Sequence, residues 1–156
     1  MAEGIAVFFD IGSTLAEPLV TDGHLSGLDL YPFIPEVLDR LRQAGDTSLP
    51  VAIGLMSNTG DETATALDRV LTNSGLAAAV DVTLCLFSSV EGIDKAQPAF
   101  FQRGVQRAGL PPAHCVFVGE DAAERAVAVS VGLRVSFHPL HAIHLVDTMR
   151  RQLQQR

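Results

Sequence analysis

Basic residues are scarce and nowhere bunched. The 156-residue chain has 11 Lys and Arg against 18 Asp and Glu, a formal net charge of −7. Without a basic block, a nucleic-acid partner is not expected. Only the tail RRQLQQR after Met149 leans basic, and it reads as a solvated helix end. Cysteine is sparse too. Cys85 and Cys115 sit inside the apolar runs VTLCLFS and HCVFVG, and read as small buried hydrophobes in a reducing compartment. No apolar run approaches the roughly 20 residues of a membrane span, and MAEGIAVFFD has no cationic leader segment. A cytoplasmic protein with no membrane contact is expected. Internal repeats, low-complexity tracts and linker-like stretches are also missing, so residues 1–156 are expected to form one domain.

What is present is 47% apolar residues, enough for a sizeable core and compatible with a homo-oligomer interface. Short apolar runs alternate with amphipathic segments. IAVFF (5–9), VAIGLMS (51–57), VTLCLFS (82–88), HCVFVG (114–119) and LRVSF (133–137) read as strands. Helices are expected over 33–43, 61–73, 97–109, 121–131 and 141–155; in the first, Ile34, Val37, Leu38 and Leu41 follow the helical period. Strands apolar throughout and separated by helices predict a parallel sheet covered on both faces. Residues 15–31 break the alternation. Their Asp22-Gly23 pair predicts a small β-hairpin overhanging the strand ends.

Ligands of such sheets bind at the carboxyl ends of the strands. The polar residues at those ends are Asp10, Ser57-Asn58, Ser88-Ser89 and Glu120-Asp121. Several of them, and Lys95 before the helix that Pro98 opens, have a plain structural reading beside a chemical one. Asp10 after IAVFF is a helix cap, a metal ligand or a nucleophile. Ser57-Asn58 would cap the next helix or hold a phosphate. Lys95 is a surface charge or a cation that neutralises a phosphate. Glu120, Asp121 and Glu124 complement a helix dipole or form a Mg²⁺ cage. His138, His141 and His144 are spaced three apart, which makes zinc conceivable, but helix-start packing is the default reading.

In order, FFDIGSTL, GLMSNTG, SSVEGIDKAQPAFF and VFVGEDAAER resemble the four motifs of the haloacid dehalogenase (HAD) superfamily. Most of its members are phosphatases. YPFIPEVLDRLRQAG also resembles the helix leading into the second motif. The resemblance implies a three-layer Rossmann-like α/β sandwich, with the five strands in the order 5-4-1-2-3 and the hairpin as a flap after strand 1. It implies Asp10 as nucleophile, with Lys95 balancing charge and Ser57, Asn58 and Lys95 binding phosphate. Mg²⁺ would be held by Asp10, the Gly12 carbonyl and an acid of the fourth motif, Glu120 or Asp121, with Glu124 a further candidate.

The sequence departs from the pattern in two places. The family's acid/base aspartate is Gly12 here. A missing general acid is typically worth roughly 10²–10⁴-fold in rate, so slow turnover is expected unless His24 or Asp61 substitutes. In the fourth motif, Glu120 and Glu124 occupy the two aspartate positions. The short insert between Asp10 and Ser57 also predicts a protein without a cap domain. The leading expectation is therefore a Mg²⁺-dependent phosphatase acting on a small phosphorylated substrate or a phosphorylated macromolecule. The alternative is a catalytically impaired fold that binds a phospho-ligand or a protein. Dehalogenation is a third option, against which the short insert argues.

Overall fold

A computed structural model describes residues 3–156. Its centre is a five-stranded, all-parallel sheet. The strands are β1 (Ile5–Phe9), β4 (Val51–Ser57), β5 (Cys85–Phe87), β6 (Cys115–Val118) and β7 (Arg134–Ser136), in the order β5-β4-β1-β6-β7. This is the expected order, with β1 in the middle. All five residues of β1 are buried, because the pleat sends alternate side chains to opposite helix layers. Ile5, Val7 and Phe9 join one core with α1 (Ile34–Ala44), α2 (Ala64–Ser74) and α6 (Pro139–Gln154). Ala6 and Phe8 join the other with α4 (Pro98–Ala108) and α5 (Ala122–Val131). Truncating a buried phenylalanine such as Phe8 costs about 3–5 kcal/mol.

The hairpin forms a separate antiparallel pair, β2 (Ala16–Thr21) and β3 (His24–Leu30). Both turn residues have positive φ, 52° at Asp22 and 79° at Gly23, the combination a two-residue type I′ turn requires. Leu25, Leu28 and Leu30 lay the hairpin against the core that contains α2.

Element boundaries differ from the sequence reading where side chains cap. The run expected as a strand over 82–88 begins as a 3₁₀ turn, Val82–Leu84, because the Asp81 carboxylate accepts the Thr83 N–H at 3.0 Å. Ser88 instead opens α3, a single turn over Ser88–Glu91. Thr63 delays α2 by accepting the Ala66 N–H at 3.1 Å. His138 caps α6, its Nδ1 accepting the Leu140 N–H at 3.1 Å, and Pro139 fits the first helical position. His141 Nδ1 lies 2.8 Å from Ser136 Oγ. His138 and His141 therefore take up the helix-start packing that was the default, while His144 is exposed.

No described helix is long and apolar enough to cross a membrane. Both cysteines are free, and burial pushes the Cys85 thiol up to about 11 and that of Cys115 to about 12.

Candidate active site

The ends of β1, β4 and β5 converge on one cavity of about 370 Å³, to which α5 adds Glu124. Asp10 follows β1 and extends its ladder by one bond, donating its N–H to the Val118 carbonyl at 2.9 Å. The chain must then leave the sheet at once. The Ile11 carbonyl accepts N–H bonds from Thr14, Leu15 and Ala16, and Ser13 takes a left-handed φ of 61°. This tight turn launches the hairpin and keeps Asp10 at its base, 7% exposed.

Lys95 reaches Asp10 from the loop between α3 and α4. Its Nζ lies 2.7 Å from Asp10 Oδ1 and 2.9 Å from Glu124 Oε1, and the residue is only 2% exposed. The Phe117 ring sits beneath the ammonium, with its centroid 5.7 Å away. A buried cation between two carboxylates is the arrangement in which losing one partner costs most. Burial raises the Glu124 carboxyl above its ordinary value, against the pull of Lys95 in the other direction.

Hydrogen bonds join the loops. Lys95 donates its backbone N–H to Asn58 Oδ1 at 3.1 Å. Thr59 donates its own N–H to Ser88 Oγ at 2.8 Å, and its hydroxyl lies 2.6 Å from that of Ser89. The segments after β4 and β5 are thus tied together, with Ser57 and Asn58 facing the cavity.

Two glycines shape the floor. A Cβ at Gly119 would come within 2.7 Å of the Phe117 ring and 3.4 Å of Asp10 Cβ, so the backbone passes where no side chain fits. A Cβ at Gly12 would meet Pro18 Cγ at 3.3 Å. A side chain at Gly12 would therefore press on the hairpin, and Pro18 would have to give by a few tenths of an ångström.

Of the residues expected from sequence, Asp10, Gly12, Ser57, Asn58 and Lys95 line the cavity together. Glu120 and Asp121 are exposed and lie outside the lining. Asp121 caps α5, its Oδ1 accepting the Glu124 N–H at 3.0 Å, and Glu124 is the acid that faces inward. His24 and Asp61 stand at the mouth with Glu62, their ligand atoms all within 4.8 Å of one another. The sequence reading passed over Glu62. Its Oε1 accepts the Leu25 N–H at 2.7 Å and fastens the hairpin to the core. Its place beside Asp61 was the only signal. The reading also missed the apolar wall, in which Leu25 and Leu28 of the hairpin face Leu67, Val70 and Leu71 of α2.

The haloacid dehalogenase-like hydrolase family matches residues 23–132, well over half of the chain. The chain belongs to this family. No curated protein sequence matches it. Among solved structures it resembles a HAD-superfamily hydrolase of subfamily IA from Geobacter sulfurreducens. That match has 15% identity and a TM-score of 0.67, and covers 91% of this chain and 99% of the other. An uncharacterised protein from Listeria monocytogenes is similar at 21% identity and a TM-score of 0.71, covering 84% and 76%. The L-2-haloacid dehalogenase from Xanthobacter autotrophicus matches at 15% identity and a TM-score of 0.66, covering 85% and 76%. At such identities the likeness is one of fold. The family makes the chain HAD-like and hydrolase-related, and leaves the substrate to the geometry of the cavity.

Proposed function

We propose that this HAD-family member is a phosphomonoesterase that works through an aspartyl-phosphate on Asp10. The observation that carries the reading is Lys95, held between Asp10 and Glu124 on the floor of a cavity that Ser57 and Asn58 also line. Lys95 engages Asp10 Oδ1, so Oδ2 is the oxygen left to attack phosphorus. The ester P–O bond breaks and the alcohol oxygen leaves. Water then attacks the phosphorus, the bond to Asp10 breaks, and inorganic phosphate is released. Ser57, Asn58 and Lys95 would hold the phosphoryl oxygens, and positioning with charge balance supplies most of the catalysis in such transfers.

The donor set fits a hard divalent cation. Glu124 Oε1 is buried beside the Lys95 ammonium, 2.9 Å away, with no other hydrogen-bond partner. Its oxygen and the Asp10 carboxylate border the same cavity. Asp10, the Gly12 carbonyl and Glu124 would hold Mg²⁺; Glu120 or Asp121 would first have to turn inward. When bound, the ion supplies charge to neutralise the phosphoryl oxygens.

The test is phosphate release from p-nitrophenyl phosphate, with and without Mg²⁺, by the wild type and by Asp10→Asn. Mg²⁺-dependent turnover that falls on the order of 10⁴-fold or more in the variant is expected. Equal rates in the two proteins would overturn the reading. Gly12, which leaves the position two residues after Asp10 without an acid, favours a second reading as a phospho-ligand-binding module. That reading predicts BeF₃⁻ binding without turnover. Chloride release from 2-chloropropionate is the control for dehalogenation.

A further inference from the structure

The walls of the cavity differ sharply from its floor. Above Asp10, Ser57 and Lys95 the lining is apolar: Leu25 and Leu28 on the hairpin side, Leu67, Val70 and Leu71 on the α2 side, and Phe87. Apart from Asp10, Ser57, Asn58, Lys95 and Glu124, grouped on the floor where the phosphate would sit, the polar side chains of the lining are Thr59 and Glu62. Thr59 is bonded to Ser89, and one oxygen of Glu62 accepts the Leu25 N–H. Little is therefore left to recognise the hydroxyls of a sugar or polyol, and their burial without partners would be unfavourable. A volume of about 370 Å³ suits a small organic group.

A second, independent observation concerns the leaving group. Gly12 has no side chain to offer a proton, and Pro18 lies 3.3 Å from the point where a Cβ would stand. An alkoxide, like hydroxide, is far too basic to leave readily without a proton. A phenolate, whose acid ionises near ~10, departs without a proton donor.

From these two features we propose that the substrate is an aryl phosphate: the ring sits between the hairpin and α2, and the ester oxygen leaves as phenolate. This rests on the phosphomonoesterase reading above. In the balanced step Asp10 Oδ2 bonds to phosphorus, the P–O(aryl) bond breaks, and the electron pair leaves on the phenolic oxygen, which takes its proton from solvent. The chemistry is shared by free aryl phosphates and by phosphotyrosyl side chains.

The test compares kcat/KM for 1-naphthyl phosphate, cyclohexylmethyl phosphate and glycerol 2-phosphate, together with phenyl phosphates of graded phenol acidity. Naphthyl phosphate should exceed glycerol 2-phosphate at least about 10³-fold, combining apolar contact at about fourfold per buried methylene with the leaving-group effect. Cyclohexylmethyl phosphate should bind like the aryl ester and turn over slowly. Leu28→Asn should raise KM for naphthyl phosphate about tenfold with little change in kcat. Gly12→Asp combined with Pro18→Ala should narrow the gap in kcat between aryl and alkyl esters.

A phosphotyrosyl peptide turned over as well as naphthyl phosphate would name the side-chain source, and preference for the free ester the small-molecule source. Equal kcat/KM for aryl and polyol esters, or no dependence on phenol acidity, overturns the proposal while leaving the phosphomonoesterase reading intact. If no ester is hydrolysed, that reading fails, and binding to Asp10→Asn decides the ligand class. A tenfold preference for naphthyl phosphate over glycerol 2-phosphate keeps an aryl phosphate as the ligand; equal binding rejects it.

Discussion

The floor and the roof of the cavity are built by opposite means. On the floor, Asp10 follows β1, Glu124 stands in the first turn of α5, and Lys95, from the loop before α4, lies between them at 2% exposure. On the roof, the hairpin is a two-stranded ribbon that lays half-buried leucines over the site. Two strands alone are marginal in water, so the ribbon depends on what it touches. The floor is fixed by charge pairing and dense packing, while the roof is held by apolar contact and the bond from the Leu25 N–H to Glu62. A rigid floor suits chemistry that needs its groups in register, and a looser roof suits the admission of different organic groups.

This contrast can be broken first at Lys95. Lys95→Met leaves two buried carboxylates facing each other and should cost about 3–5 kcal/mol. Thermal unfolding should show a Tm loss on the order of 10 °C, with phosphate release abolished. If Tm is unchanged, the floor is not held by charge. Gly119→Ala comes next. Its Cβ must displace the Phe117 ring beside Asp10, at a cost of about 1–3 kcal/mol. Urea denaturation measures that cost, and activity should fall with it.

At the roof the effect should be local. Glu62→Ala removes the acceptor of the Leu25 N–H, so amide exchange at Leu25 should rise about tenfold. Global Tm should move little, and a large drop would mean that the hairpin unfolds together with the core. The smallest expected effect is a slope. The Glu124 carboxyl is raised in the fold, so its contribution to stability is full below its ordinary value of 4.5 and is lost as the pH rises. In EDTA, the Tm of Glu124→Gln relative to wild type should therefore climb between pH 4.5 and 7. A flat difference would contradict the burial argument.

The floor was far more legible in the sequence than the roof. Asp10 and Ser57 end unmistakable apolar runs, so the topology that orders those runs also brings them together, while Lys95 was legible through the motif around it. The hairpin was legible at its turn, because Asp22-Gly23 demands positive φ. Which acid turns inward was not. Glu120, Asp121 and Glu124 lie within one turn of each other, and the choice follows from Asp121 capping α5, a matter of one hydrogen bond. The apolar wall was hidden for another reason. Leu67, Val70 and Leu71 carry the helical period of any core-facing helix, and periodicity does not tell a residue that fills the core from one that borders a cavity.

Asn58 gives the site a polarity of its own. A side-chain amide has an accepting end and a donating end, and the Lys95 backbone N–H has claimed the accepting one. What remains for a guest is the NH₂ group, with two donors and no lone pair to repel an anion. A carboxylate at the same position would keep the loop in place and present oxygen where nitrogen now stands. The bond that ties two loops together thus also sets the sign of what the site can welcome.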